Sequence, residues 1–194
     1  MTKQTKSAIL LHNGDFFDFL DPFNHEYDIE TIAYALSNLC RYTGHSRRFY
    51  SVAEHCVLVS NLVRSEYALE GLMHDASEAF CGDVSSPLKK LVPEYANIEH
   101  RVQEAIFRYY GLTYPMPPEV KEADVLAYVT ERQSISNTGK DELWFADVKP
   151  TNVYIVGHSP SVARKMFLSR FKELTNNDRN AVLRSKAEAR AAAS

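Results

Sequence analysis

No stretch of this sequence is apolar for the roughly 20 residues that a bilayer-spanning helix needs, so a transmembrane protein is not expected. The opening MTKQTKSAILLHNGDFF holds only AILL before polar residues return, which is too little for a secretory leader. Cysteine is scarce. Cys40, Cys56 and Cys81 are scattered and lack the paired spacing of a metal finger, so they read as reduced thiols of a cytoplasmic protein. Gly/Ser linkers and fixed-period repeats are missing as well, which removes repeat arrays and tethered modules from consideration. There is no surplus of positive charge. The net charge is −3, and residues 179–194 carry Arg179, Arg184, Lys186 and Arg190 against Glu188, a local +3 that leaves −6 on the rest. An acidic body lacks the footprint for a phosphate backbone, so a polymeric nucleic-acid partner is not expected.

What is present is an ordinary globular composition, 45% hydrophobic and 24% charged over 194 residues, enough for one domain with a substantial core. That domain is placed at residues 1–178, with 179–194 as a tail, frayed or helical. AILLHNGDFFDFLDP, with turn residues Asn13-Gly14 and Asp21-Pro22, suggests a small hairpin or irregular entry. Ile29, Ile32, Ala33, Leu36, Leu39 and Cys40 then recur at three- and four-residue steps, which is helical periodicity. SVAEHCVLVSNLVRS, ALEGLMHDASEAF, NIEHRVQEAIFRYYG and PPEVKEADVLAYVTERQSI predict four more helices, the fourth in chain order closed by Gly111. A sixth is predicted from Ser159-Pro160 to about Leu174. NVYIVG fits a short strand or a buried extended segment. The fold class is all-α, with small irregular or β additions at the N-terminus.

The stretch GLMHDASEAFCGDVSSPLKKL sets His74-Asp75, Glu78, Asp83 and Lys89 into an otherwise apolar pattern. On a helix, Glu78 lies one turn beyond both His74 and Asp75, on the same broad face. Adjacent His and Asp offer an imidazole nitrogen and a carboxylate oxygen to one cation, a mixed set that suits Zn, Mn, Co, Fe or Ni better than Ca or Mg. Two ligands do not hold an ion tightly. His55 in the largely apolar VAEHCVLV and Asp124 in KEADVLAYV, where it leads into an apolar face, offer the others, so three helices are expected to converge on the ion.

The order His55, His74-Asp75, Asp124 resembles the signature of the HD-domain metal-dependent phosphohydrolases. The run HDASEAFCGDVSSPLKK is similar to their 5′-deoxynucleotidase branch, phage dATP triphosphohydrolases included. The resemblance covers roughly residues 30–130 and implies an HD-domain helical bundle. By that resemblance His55, His74, Asp75 and Asp124 are the metal ligands, for Co, Mn or Zn. Glu78 and Asp83 are the acid/base groups beside the attacking water and the leaving group, and Lys89 binds phosphate. Ahead of its first histidine the family has an Arg-Trp pair that contacts the nucleotide. Arg41-Tyr42 stands in that place here, with Tyr42 still able to stack on a base or sugar. Arg47 and Arg48 add charge that would meet a β- or γ-phosphate. The resemblance also implies a homo-oligomer in the cytoplasm of a bacterium or of a phage-infected host.

Singly, these residues have ordinary readings: His55 a satisfied core histidine, Asp124 an exposed helix carboxylate, Asp83 a turn residue, Lys89-Lys90 a solvated pair. They gain meaning by occurring together and in order. GHSPS at 157–161 lacks the second glycine and the α/β setting of a nucleophile elbow. The expected function is hydrolysis of a deoxynucleoside triphosphate, dATP first, to deoxynucleoside and triphosphate. The alternatives are a 5′-deoxynucleotidase acting on monophosphates, a nucleotide-binding sensor without turnover, and a (p)ppGpp hydrolase.

Overall fold

The segment after the N-terminus folds back on itself as the Asn13-Gly14 turn requires. Strand β1 (Ala8–Leu10) pairs antiparallel with β2 (Phe16–Asp18), Ala8 opposite Asp18 and Leu10 opposite Phe16. The Asn13 side chain accepts the Asp15 N–H at 3.0 Å, a turn geometry this residue type favours. Phe17 points inward and is fully buried. The structure, a computed structural model, describes residues 6–135, 145 and 147–191, with side chains described through residue 176.

Among the described residues, the other elements are helical. Among the described residues the α-helices are α1 (Ile29–Asn38), α2 (Val52–Leu62), α3 (Ala68–Met73), α4 (Glu78–Cys81), α5 (Ser86–Leu91), α6 (Pro93–Tyr110), α7 (Pro118–Ile135) and α8 (Pro160–Ala191). Their starts carry physical causes. The Asp28 carboxylate accepts the N–H groups of Glu30 and Thr31 at the head of α1, and the Ser51 side chain accepts that of Glu54 at the head of α2. Each satisfies donors that a helix start leaves open. Gly111 closes α6 in the left-handed conformation, which a glycine adopts without steric cost.

Helix α2 is the axis of the molecule. Val52 through Ser60 are buried without interruption, and a helix buried around its whole circumference belongs in the middle. Helices α1, α3, α7 and α8 pack around it. On one side Ile32, Leu36, Leu72, Phe107 and Phe167 fill the core; on the other Tyr50, Val59, Val120 and Ala127 do. Each large apolar side chain so buried contributes about 1.5–3 kcal/mol. Among the described residues no helix is long and apolar enough to cross a membrane.

Three expectations need correction. The third helix, anticipated as one piece through ALEGLMHDASEAF, is broken between Met73 and Glu78. In an unbroken helix the Ser77 N–H would donate to the Met73 carbonyl. Here the Gln103 side chain of α6 stands between them, accepting from Ser77 N at 2.9 Å and donating to Met73 O at 2.9 Å. The turn tightens to three-residue steps, with Ala76 N–H on Met73 O and Glu78 N–H on Asp75 O, and residues three apart fall into line. Asp75 and Glu78 are such a pair.

The sixth predicted helix does not stop near Leu174; the helical backbone runs to Ala191, carried on by the helix-forming composition of the tail. Residues 192–194 of that tail, and the side chains of the rest, lie outside the described part. NVYIVG pairs with no described strand, and only Ile155 of it is buried. The SPLKKL stretch, not anticipated as helical, forms α5.

The GHSPS stretch has a structural role. The buried Glu54 carboxylate accepts Gly157 N–H at 3.1 Å and His158 N–H at 2.7 Å, which pins the loop before α8 onto α2. Gly157 sits at φ 73°, and a Cβ there would meet the Phe49 carbonyl oxygen at 2.5 Å, so only glycine fits.

Candidate metal centre

The tightened turn between α3 and α4 aims His74 and Asp75 at α2, where His55 is fully buried. The two Nε2 atoms face each other at 3.1 Å. Asp75 Oδ2 lies 3.1 Å from His74 Nε2 and 3.5 Å from His55 Nε2. From α7, Asp124 brings Oδ1 to 3.2 Å from His55 Nε2 and 3.8 Å from His74 Nε2. His55, His74 and Asp75 form a group able to hold a metal ion, their ligand atoms all within 4.8 Å of one another, and Asp124 borders both histidines of it.

The protons of these rings are fixed from behind. His74 Nδ1 lies 2.9 Å from the Gly71 carbonyl oxygen, a pure acceptor, so Nδ1 carries a hydrogen and it is Nε2 that offers the lone pair whenever the ring is neutral. His55 Nδ1 lies 2.6 Å from Glu131 Oε1. Burial opposes ionisation of Glu131, but Arg41 and His55 beside it hold its pKa down at about 2, so it too accepts. Burial likewise opposes ionisation of Asp75 and Asp124, yet the facing histidines hold both carboxyls well below the usual range.

Three electron-pair donors, His55 Nε2, His74 Nε2 and Asp75 Oδ2, thus lie together and could hold a metal ion, with Asp124 Oδ1 beside both histidines. With bonds of about 2.1 Å, ligand atoms sit about 3.0 Å apart along an octahedral edge and about 3.4 Å apart along a tetrahedral one, and the separations of 3.1, 3.1 and 3.5 Å among His55, His74 and Asp75 lie close to those values. Charge agrees with geometry. Asp75, Asp124 and Glu131 set three carboxylates against the buried Arg41 guanidinium and the exposed Lys121 ammonium, which leaves the floor negative and favourable to a cation. The protein's own titration feels the same field. Burial opposes charging of His74, but Asp75 raises its pKa well above the ordinary histidine value.

Above this floor opens a cavity of about 430 Å³, within the size range of small-molecule sites. Of the sequence-predicted substrate and catalytic residues, Arg41, Tyr42, Glu78, Asp83 and Lys89 line it, together with Asp75 and Asp124. Glu78 is buried, and its Oε2 has no hydrogen-bond partner among the described residues. Burial, then the negative charges of Asp75 and Asp83, push the Glu78 pKa well above the ordinary carboxylate value. Asp83 is raised as well, first by burial, with Arg41 opposing. Lys89 Nζ is held 2.7 Å from Glu99 Oε1 and 3.4 Å from Glu78 Oε1.

Some assignments change in detail. Arg41 Nη1 lies 3.6 Å from Asp75 Oδ2 and its Nε 3.3 Å from Glu131 Oε2, while the Tyr42 hydroxyl donates to Glu131. Both residues face the cavity, but their polar groups are already committed to the floor. Arg47 and Arg48 do not line the cavity; Arg48 Nη1 donates to the Val156 carbonyl at 3.1 Å and to Tyr154 Oη at 3.3 Å. Their expected phosphate contact is not supported, and the additional cations lining the cavity are Lys90 and Lys121.

Residues not foreseen are Glu131, Gln103 and Glu99. Glu131 had a signal: it stands seven residues, two turns, beyond Asp124 and so on the same face of α7.

Fold and site together define a class: a helical protein with two imidazoles and two carboxylates gathered in the floor of a cavity. The chain belongs to the family of Uncharacterized protein YfdR of Escherichia coli, to which it is 41% identical over 175 residues, covering 87% of this chain and 96% of that relative. It is similar also to Uncharacterized protein RCAP_rcc00048 of Rhodobacter capsulatus, 30% identical over 159 residues that cover 75% of this chain and 81% of the relative. No family model matches the chain.

Proposed function

We propose that the protein is a divalent-metal-dependent phosphohydrolase of deoxynucleotides, with His55, His74, Asp75 and Asp124 holding Co, Mn or Zn. The observation that carries this reading is the grouping of His55, His74 and Asp75, with Asp124 beside both histidines, beneath a cavity that also holds a buried carboxyl oxygen without a hydrogen-bond partner among the described residues. The resemblance of HDASEAFCGDVSSPLKK to the HD-domain deoxynucleotidases points the same way. An ion held there supplies positive charge to a phosphoryl group and lowers the pKa of water toward neutrality.

The chain's own residues supply the proton chemistry. Glu78 and Asp83 both have raised pKa values, and neighbouring carboxyls that share one proton furnish an acid and a base at a single pH. As water oxygen bonds to the α-phosphorus, the ionised carboxylate takes the water proton. As the bond from phosphorus to the 5′ oxygen breaks, the protonated carboxyl returns a proton to the sugar. Lys89 offsets charge on the phosphoryl oxygens. Tyr42 and Tyr128 on the cavity wall offer flat faces to a base.

A triphosphate substrate, dATP first, remains the preferred reading, now supported by Lys90 and Lys121 at the cavity in place of Arg47 and Arg48. The test is a panel of dNTPs and dNMPs with chelator-stripped and Co²⁺- or Mn²⁺-restored protein. Triphosphate release from dNTPs, dependent on restored metal, is expected. Orthophosphate release from monophosphates alone would make the protein a 5′-deoxynucleotidase. No release from any of these substrates would contradict a hydrolase of either kind.

A further inference from the structure

Glu131 is fully buried and does not line the cavity, yet it touches both halves of the site, one with each oxygen. Oε1 accepts from His55 Nδ1 at 2.6 Å and from the Tyr50 hydroxyl at 2.9 Å. Oε2 accepts from the Tyr42 hydroxyl and lies 3.3 Å from Arg41 Nε. The first oxygen thus serves a metal-binding ring and the second serves the strap that forms the cavity wall.

That strap is strained. Tyr42 and Thr43 stand in the left-handed region, at φ 57° and 53°, a conformation that costs a residue with a side chain free energy and persists only where its surroundings enforce it. The Tyr42 hydroxyl bond to Glu131 is one enforcing contact. The Arg41 N–H bond to the Tyr50 carbonyl, 2.9 Å, is another. A carboxylate is planar and rigid, so neither of its oxygens moves without the other.

We infer that Glu131 is a positioning residue that ties the metal centre to the nucleotide-facing strap at residues 41–44, setting the His55 ring and the strap conformation through one carboxylate. The strap's role in binding nucleotide rests on the phosphohydrolase reading; the arm toward the metal does not.

Glu131→Gln tests this directly. A carboxamide has one acceptor oxygen, whereas the site presents donors to both positions. The Arg41 charge keeps the carbonyl oxygen on the strap side and turns the NH₂ toward His55 Nδ1. Calorimetric titration of the full chain with Co²⁺, after stripping with chelator and without nucleotide, is expected to show affinity 10- to 100-fold below wild type, the usual range for loss of a group behind a ligating histidine. The visible spectrum of bound Co²⁺ is expected to change as well. A role in folding alone would lower the melting temperature of the metal-free protein and leave Co²⁺ affinity within threefold of wild type; that result overturns the inference. Should Glu131→Gln fail to fold, Tyr42→Phe decides. It removes a single hydroxyl that touches no ligand, and a several-fold loss of Co²⁺ affinity supports the tie where unchanged affinity overturns it. A wild-type chain that takes up no Co²⁺ overturns the metal centre itself, and this inference with it.

Discussion

Asp124 turns one carboxylate oxygen toward each of two environments. Its Oδ1 lies 3.2 Å from the fully buried His55 ring, in a floor where His74 and Glu131 are also buried. Its Oδ2 lies 2.6 Å from Lys121 Nζ, on a side chain 76% exposed. In the floor, charges removed from water hold their positions only because each has a defined partner, and removing a partner is costly. At the rim, Lys121 stays hydrated and its ion pair is screened. The difference separates roles within one cavity: the floor fixes geometry and the rim adjusts attraction.

The largest expected effect breaks the floor. His74→Ala removes one donor of the His55–His74–Asp75 group, and metal content after dialysis, measured by mass spectrometry, should fall to background. Phosphohydrolase activity should fall by about a thousandfold or more. Retention of both would mean that these groups do not act as one centre.

Next comes the junction of floor and rim. Glu78→Gln keeps the shape of the side chain and removes its proton exchange, so kcat should drop about 10²- to 10⁴-fold while metal content stays at the wild-type value. Loss of metal together with activity would move Glu78 into the ligand set instead. At the rim, Lys89→Met should raise KM about tenfold, near the value of one charge-assisted contact, with metal affinity unchanged. The shift should shrink at high salt, whereas that of a floor variant should not.

The scaffold was more legible than the centre, for a physical reason. Helix starts rest on local chemistry: Asp28 before α1 and Ser159-Pro160 before α8 act within a turn of themselves. The hairpin at Asn13-Gly14 is local in the same way. The broken turn at His74–Ser77 was not legible, because the group that opens it, Gln103, is a side chain from another helix. Within its own window ALEGLMHDASEAF is a good helix, and tertiary contact overrides that preference. His55, His74 and Asp75 were legible as polar residues set into apolar helical runs, and α2 and the tightened turn bring these three together.

Glu131 was passed over because TERQS looks like an ordinary solvated helix segment, although its two-turn spacing from Asp124 puts both on one face of α7; the fold then turns that face to His55. The opposite error arose at Arg47-Arg48, where nearness in sequence to the site suggested a phosphate contact. The structure spends Arg48 on the segment before α8.

The most direct test of the central claim is anomalous diffraction from crystals of the full chain grown with Co²⁺. The account predicts one strong peak per chain among His55 Nε2, His74 Nε2, Asp75 Oδ2 and Asp124 Oδ1, at about 2.0–2.3 Å from each. A peak elsewhere, or none among these atoms at saturating Co²⁺, would contradict it.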